Sequence, residues 1–179
     1  MGLREDLARL VGFDTVSHRP TAELSGWLGD RLTDLGFEVE AIGAADAPGK
    51  WNLLARRGPE GTEGLTLSGH MDVVPAEGQP WTSDPFVLTE REGRWYGRGT
   101  ADMKGFFAAT LAALERLRAV PLRRELACVW TYDEEVGCLG SARFASAFAD
   151  AGRRIPSACL IGEPTDFQIL RMHPGHVAV

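Results

Sequence analysis

Short, continuously apolar segments alternate with helical segments, and this alternation constrains the fold of the chain more than any other feature. The apolar segments are residues 65–69, 125–132 and 157–162, and apolar spacing predicts helices over 105–120 and 141–151. Strands without polar alternation are typical of parallel sheets that helices cover on both sides. The sequence therefore predicts an α/β fold, with a mostly parallel sheet and helices on both faces.

The N-terminal part predicts two helices and two amphipathic strands. Residues 4–11 have the spacing of a short helix, and Thr21 can cap a second helix that ends at Gly36. Residues 37–42 and 51–56 have the composition of strands. These early strands could add an antiparallel edge to the sheet.

Two further segments contain strand signals. Residues 86–97 predict a hairpin with Glu92 and Gly93 near its turn, and residues 168–172 favour a last strand.

Composition excludes several classes of function. The chain has 179 residues, a net charge of −6 and no run rich in lysine and arginine, which argues against nucleic acid as a partner. No apolar run approaches the roughly 18 residues that span a bilayer, so no membrane partner is expected. The three cysteines have no spacing typical of disulfides or thiolate zinc sites. Cys128 and Cys159 lie in apolar runs, so we expect core positions for them and a reducing, cytoplasmic location.

Ionisable side chains follow each of the three apolar strands. The groups are His70 and Asp72 after the first strand, Asp133, Glu134 and Glu135 after the second, Glu163 after the third, and Asp102 just before the long helix. The carboxyl ends of parallel strands share one edge of a sheet, where ligands bind in open α/β folds. The sequence therefore predicts that these groups meet there.

A cluster of this kind favours a bound cation. Carboxylates close together repel and raise each other's pKa, and a divalent ion relieves that repulsion. One histidine with several carboxylates suits zinc, with cobalt or manganese as alternatives. Each group alone has an ordinary structural explanation, since His70 could be a core histidine and Asp102 a helix cap. Their joint position at strand ends favours the metal site.

Four motifs resemble one enzyme family. GHMDVVP, GRGTADMKG, YDEEVG and GEPT, in this order, are similar to the signature blocks of the two-zinc aminoacylases and exopeptidases. That family includes acetylornithine deacetylases, succinyl-diaminopimelate desuccinylases and glutamate carboxypeptidases. The strongest likeness, in residues 81–99 and 100–108, is to the acetylornithine deacetylases.

The resemblance implies a ligand set for up to two zinc ions. By this resemblance His70 and Glu163 bind the first ion, Asp102 bridges both ions, and Glu135 binds the second. Asp72 would fix the orientation and tautomer of the His70 imidazole.

The resemblance also implies a mechanism and a substrate class. Glu134 would act as the general base for metal-assisted amide hydrolysis, and the family tends to have a cis peptide at the position of Asp102–Met103. The implied substrate is a small N-acyl amino acid, most specifically N-acetylornithine in arginine biosynthesis. A desuccinylase, dipeptidase or carboxypeptidase of the same family, or an inactive metal-binding fragment, is the alternative. A serine hydrolase is disfavoured because Gly-x-Ser-x-Gly is absent.

Relatives in this family are considerably longer and contain a lid and dimerisation domain, and full-length relatives are expected to be homodimers. We expect residues 1–175 to form the N-terminal part of the catalytic domain and residues 176–179 to begin the absent lid domain. The family's late histidine ligand of the second metal is missing, and His173 and His176 are poor substitutes for it. Weak activity and exposed apolar surface are therefore expected for this chain. His18 lies in a polar loop and is expected to face solvent.

Overall fold

The chain forms a mixed five-stranded sheet with helices on both faces and a separate two-stranded hairpin. The structure is a computed structural model that describes residues 2–61 and 63–172. Its helices are α1 (Leu3–Gly12), α2 (Ala22–Asp34), α3 (Lys104–Arg116) and α4 (Leu139–Asp150). Its strands are β1 (Glu38–Ala44), β2 (Ala47–Arg57), β3 (Gly64–His70), β4 (Thr89–Arg91), β5 (Arg94–Tyr96), β6 (Glu125–Thr131) and β7 (Cys159–Ile161).

Strand order explains how the predicted acidic edge arises. The order is β1-β2-β6-β3-β7, with β3 parallel to both β6 and β7. β2 runs antiparallel to β1 and β6, as the amphipathic N-terminal strands indicated, so the sheet is mixed. His70 lies opposite Thr131 in the β3–β6 register, and Ser68 lies opposite Ile161. The segments that follow the three parallel strands therefore leave the sheet side by side.

Side chains from the central strands alternate between two apolar layers. Leu53, Cys128 and Trp130 pack with α1, α2 and α3 on one face, whereas Leu54 and Val129 pack with α4 on the other. This period of two is what a strand covered on both faces requires. The predicted α/β fold with helices on both faces is confirmed, and so is the core position of Cys128.

The hairpin and several ends of elements also match the sequence prediction. Glu92 and Gly93 form the turn between β4 and β5, both with positive φ. Gly36, with φ of 81°, follows the end of α2. Thr21 is the N-cap residue of α2, although the Thr21 side chain makes no capping hydrogen bond. His18 is exposed, as predicted.

The C-terminal part of the described chain differs from the prediction. Residues 157–162 were expected to be a buried strand, but β7 has only three residues and all are exposed. Cys159 is therefore exposed and its predicted core position is wrong. Residues 168–172 contain no strand. Among the described residues β7 is an edge strand that pairs with β3 alone, so its outer edge is uncovered and its apolar side chains are less enclosed than those of the central strands.

Exposed apolar side chains concentrate in this same region, in agreement with the expected apolar surface. Those within residues 159–172 are Leu160, Ile161, Phe167, Ile169, Leu170 and Met172, and others are scattered along the rest of the described chain. The proposed domain boundary at residues 175–176 lies outside the described residues.

Arg57 connects the C-terminal ends of two helices. Its guanidinium donates to the carbonyl of Leu35, which follows α2, and to those of Leu117, Arg118 and Val120, which follow α3. The last carbonyls of a helix have no partner within the helix, and a cation there is favourable. Arg57 therefore ties both helices to the end of β2.

We expect Arg57→Met to lower the free energy of unfolding by about 2 kcal/mol, because several carbonyls would lose a charged donor at once. Urea denaturation of the purified chain measures this change. Arg116→Met, at an exposed position of α3, is the matched control and should change stability by less than about 0.5 kcal/mol. Equal effects of the two substitutions would show that Arg57 is an ordinary surface arginine.

Candidate metal centre

Two glycines allow α3 to approach the ends of β3 and β7. A Cβ atom on Gly69 would lie 2.8 Å from Cε1 of Phe107, and one on Gly162 would lie 2.0 Å from Cγ of Phe106. Any side chain at either position would push the start of α3 away from the sheet. The glycines before His70 and Glu163 therefore let Asp102, which precedes α3, reach both strand ends.

His70 is buried at the end of β3 and presents one ring nitrogen to the acidic residues. Its Nδ1 lies 2.9 Å from the backbone carbonyl of Asp72, so Nδ1–H donates to that oxygen. Its Nε2 faces three carboxylates: Asp102 Oδ1 at 3.0 Å, Glu163 Oε1 at 3.5 Å and Glu134 Oε2 at 3.9 Å. In the neutral imidazole this tautomer leaves the Nε2 lone pair available to a metal ion.

The structure brings together the residues that were predicted as metal ligands. Ligand atoms of His70, Asp102 and Glu135 all lie within 4.8 Å of one another. Oε1 of Glu163 lies 3.5 Å from Nε2 of His70. One imidazole nitrogen and several carboxylate oxygens fit zinc, and would also accept cobalt or manganese. His173 and His176, considered for the second metal, lie outside the described residues.

Asp72 holds the two glutamates as well as the histidine. Its fully buried carboxylate accepts from Ser17 Oγ at 2.7 Å, from the amide of Glu134 at 3.0 Å and from that of Glu135 at 3.3 Å. The nearest approach to the His70 ring is by the backbone carbonyl of Asp72, while Oδ1 lies 3.6 Å from Nδ1. Burial disfavours the charged form of Asp72, but the interaction with the His70 ring and the hydrogen bonds from Ser17 and the Glu134 amide outweigh it and lower the pKa of Asp72.

The carboxylates favour positive charge at the centre of the cluster. Burial disfavours the imidazolium of His70, but the hydrogen bond to Asp102 and the nearby negative charges of Asp72 and Glu163 outweigh it and raise the pKa of His70 to about 11. Burial and the negative charge of Asp102 raise the pKa of Glu135 to about 7. A divalent cation would therefore compete with protons for these groups.

This competition makes zinc binding dependent on pH. Because the pKa of His70 is raised to about 11, the metal-free histidine is protonated at neutral pH and must lose its proton to bind zinc. We expect apparent zinc affinity to rise at least about tenfold per pH unit above pH 7, with release of about one proton from His70 and, near pH 7, of a further fraction of a proton from Glu135. Titration calorimetry in buffers of different ionisation enthalpy measures both quantities. An affinity independent of pH between 7 and 8 would contradict this prediction.

The start of α3 places Asp102 at the open side of the cluster. The Asp102–Met103 peptide is cis, as the resemblance implied, and the amide of His70 donates to Sδ of Met103 at 3.2 Å. Lys104 is fully buried and its Nζ donates to the carbonyl of Phe13 at 2.6 Å. Together these contacts hold the start of α3 against β3 and the end of α1.

Sequence reasoning missed two residues that support the acidic groups, Ser17 and Lys50. Ser17 contacts Asp72 directly, and Lys50 Nζ lies 2.5 Å from Oδ1 of Asp133. Ser17 lies in a polar stretch and Lys50 in a strand, so no spacing or motif distinguishes either from a solvent-exposed residue. Only their unexpected burial identifies them.

A family comparison identifies the group to which the chain belongs. The sequence model of Peptidase family M20/M25/M40 matches residues 66–177, which include every candidate ligand named above. The chain belongs to this peptidase family. Family membership supports a hydrolase whose relatives include metallopeptidases, in agreement with the donor set of the cluster.

Solved structures of similar fold include two dipeptidases and a carboxypeptidase. Human carnosine dipeptidase 1 is 27% identical to the chain, with a TM-score of 0.75. A metallo-carboxypeptidase from Sulfolobus solfataricus and a dipeptidase from Saccharomyces cerevisiae are each 19% identical, with TM-scores of 0.77 and 0.72, and show the fold alone. Each match covers 89% of this chain, and this chain spans 37% of the length of each of those proteins.

Within residues 2–61 and 63–172, no helix is both long enough and apolar enough to cross a membrane.

Proposed function

We propose that this chain supplies metal ligands of a zinc-dependent amidohydrolase site. In this proposal His70 and Glu163 would hold the first zinc ion, Glu135 would hold the second, and Asp102 would be shared between them. The observation that carries the proposal is the approach of carboxylates from three separate segments to Nε2 of one buried histidine.

The positions of the protein's own groups support a division of roles. Bound zinc would supply the polarisation of the scissile carbonyl and the activation of water. Glu134 has a 40% exposed side chain 3.9 Å from His70 Nε2, so it can reach a water on the open side of the cluster. It would take the proton of that water and give it to the leaving amine. Asp72 would hold the backbone of Glu134 during both transfers.

We propose an N-acyl amino acid as the substrate, most specifically N-acetylornithine. The support is the likeness of residues 81–99 and 100–108 to acetylornithine deacetylases. Arginine biosynthesis in a reducing cytoplasm is the matching context, in which the free thiols of Cys128, Cys138 and Cys159 would persist.

A dipeptide is the second candidate substrate. The solved dipeptidase with 27% identity favours it, since the same ligands could activate water against a peptide bond. A desuccinylase or carboxypeptidase would use the same cluster.

A substrate panel tests the proposal and separates these candidates. The zinc-loaded chain is incubated with N-acetylornithine, N-succinyl-diaminopimelate, carnosine and a C-terminal glutamate peptide, and the released amine is measured. We expect slow hydrolysis with N-acetylornithine preferred. Preference for carnosine would favour the dipeptidase, and release no faster than from the Glu134→Gln variant would favour the inactive metal-binding alternative.

A further inference from the structure

A buried polar network lies behind the metal-binding residues. It consists of Ser17, Lys50, Asp72 and Asp133, whose exposed fractions are 6%, 8%, 0% and 8%. Buried charges are costly unless they are paired and hydrogen-bonded, so these groups depend on one another.

Lys50 is the cation of this network. Its Nζ donates to Oδ1 of Asp133 at 2.5 Å and also to the backbone carbonyl of Ser17. The hydroxyl of Ser17 in turn donates to Oδ2 of Asp72 at 2.7 Å. One ammonium group on β2 therefore connects the segment that follows β6 with the segment that follows β3.

The network reaches the proposed catalytic residues through the backbone. Asp133 immediately precedes Glu134 and has a left-handed conformation, with φ of 53°. The amides of Glu134 and Glu135 donate to the carboxylate of Asp72. The two glutamates are thus held at one side by the Lys50–Asp133 ion pair and at the other by Asp72, which Ser17 supports.

We propose that Lys50, with Ser17, is a positioning residue that fixes the two glutamates at the metal site. The inference rests on the proposed function for the roles of Glu134 and Glu135. Without the ammonium group, the buried carboxylate of Asp133 would be unpaired and would turn toward solvent. That movement would shift the adjacent glutamate backbone away from Asp72.

A second ion pair on the same two strands supplies a matched control. Arg56, also on β2, has its Nε 2.5 Å from Oε1 of Glu125, which is 2% exposed at the other end of β6. Each pair joins a cation on β2 to a buried carboxylate on β6 or just after it. Of the two, the Lys50 pair is the one next to the metal-binding residues. A general stabilising role would make the two pairs equivalent.

The experiment compares Lys50→Met with Arg56→Met in the full chain. Zinc titration measures affinity, and amide hydrogen exchange without metal measures protection at Glu134 and Glu135 relative to Val129 in β6. We expect Lys50→Met to weaken zinc binding about 10- to 100-fold and to speed exchange selectively at the two glutamates. Arg56→Met should lower stability while zinc affinity and the relative protection of the glutamates stay unchanged.

Selective effects of Lys50→Met support the proposal, and an unchanged zinc affinity with unchanged glutamate protection overturns it. If Lys50→Met does not fold, Ser17→Ala decides, because it removes only the hydroxyl that contacts Asp72. Exchange at the two glutamates should again rise, and no rise contradicts the inference. Failure of the unaltered chain to bind zinc would overturn the proposed function, whereas the exchange comparison would still accept or reject the positioning role.

Discussion

Replacing Asp102 with asparagine is expected to weaken zinc binding by about 100-fold or more. Asp102 Oδ1 is the carboxylate oxygen nearest to His70 Nε2, at 3.0 Å, and its proposed role is to contact both ions. Loss of a residue that only supports a ligand typically costs 10- to 100-fold in affinity, so loss of a bridging charge should cost at least the upper value. Asparagine keeps the size of the side chain, and the side chain of Asp102 is 47% exposed, so the fold should persist.

Zinc titration with a chromophoric competitor measures this change. Asp30→Asn, an exposed position on α2, removes the same charge elsewhere and should leave the affinity unchanged. If Asp102→Asn bound zinc as tightly as the unaltered chain, the bridging role of Asp102 would be wrong. If both variants lost affinity equally, net charge would explain the effect and the cluster geometry would not.

Replacing Glu134 with glutamine is expected to lower hydrolysis of the preferred substrate by about 10²- to 10⁴-fold, the usual contribution of a general base. Zinc affinity should change little, because Glu134 is not among the proposed ligands. The adjacent Glu135→Gln is the matched comparison. It should weaken zinc binding, because a carboxylate oxygen of Glu135 lies close to the ligand atoms of His70 and Asp102.

Steady-state rates at saturating zinc, together with zinc titrations, separate these roles. Loss of zinc binding in Glu134→Gln would make Glu134 a ligand. Retained zinc binding in Glu135→Gln would remove Glu135 from the ligand set. Either result would require a new division of roles between the two glutamates.

The parts of the fold that local patterns determine could be predicted from the sequence. The apolar runs of β3 and β6 are paired in parallel, and their ends bring His70 and Glu134 to one edge of the sheet. Continuous apolar composition was a sufficient signal there because helices cover both faces of those strands. The same composition was misleading at β7, because β7 is an edge strand and a local pattern does not indicate whether a strand lies at the edge or the centre of a sheet.

The supporting residues could not be predicted for a different physical reason. Ser17 and Lys50 contact partners 55 and 83 positions away in sequence. Lys50 is buried where β2 packs beside β6, and Ser17 is buried where its segment lies beside Val73, after β3. A lysine in a strand has the same local signature whether it faces solvent or a buried carboxylate. The cis peptide at Asp102–Met103 likewise came from family resemblance and from no physical signal in the sequence.

The central claim is that His70, Asp102 and Glu163 bind the same metal ion. A crystal structure of the zinc-soaked chain, with anomalous differences measured at the zinc absorption edge, tests this most directly. We expect a strong peak about 2.0–2.2 Å from His70 Nε2 and from oxygens of Asp102 and Glu163. Ordered side chains at all three residues with no peak between them would contradict the claim.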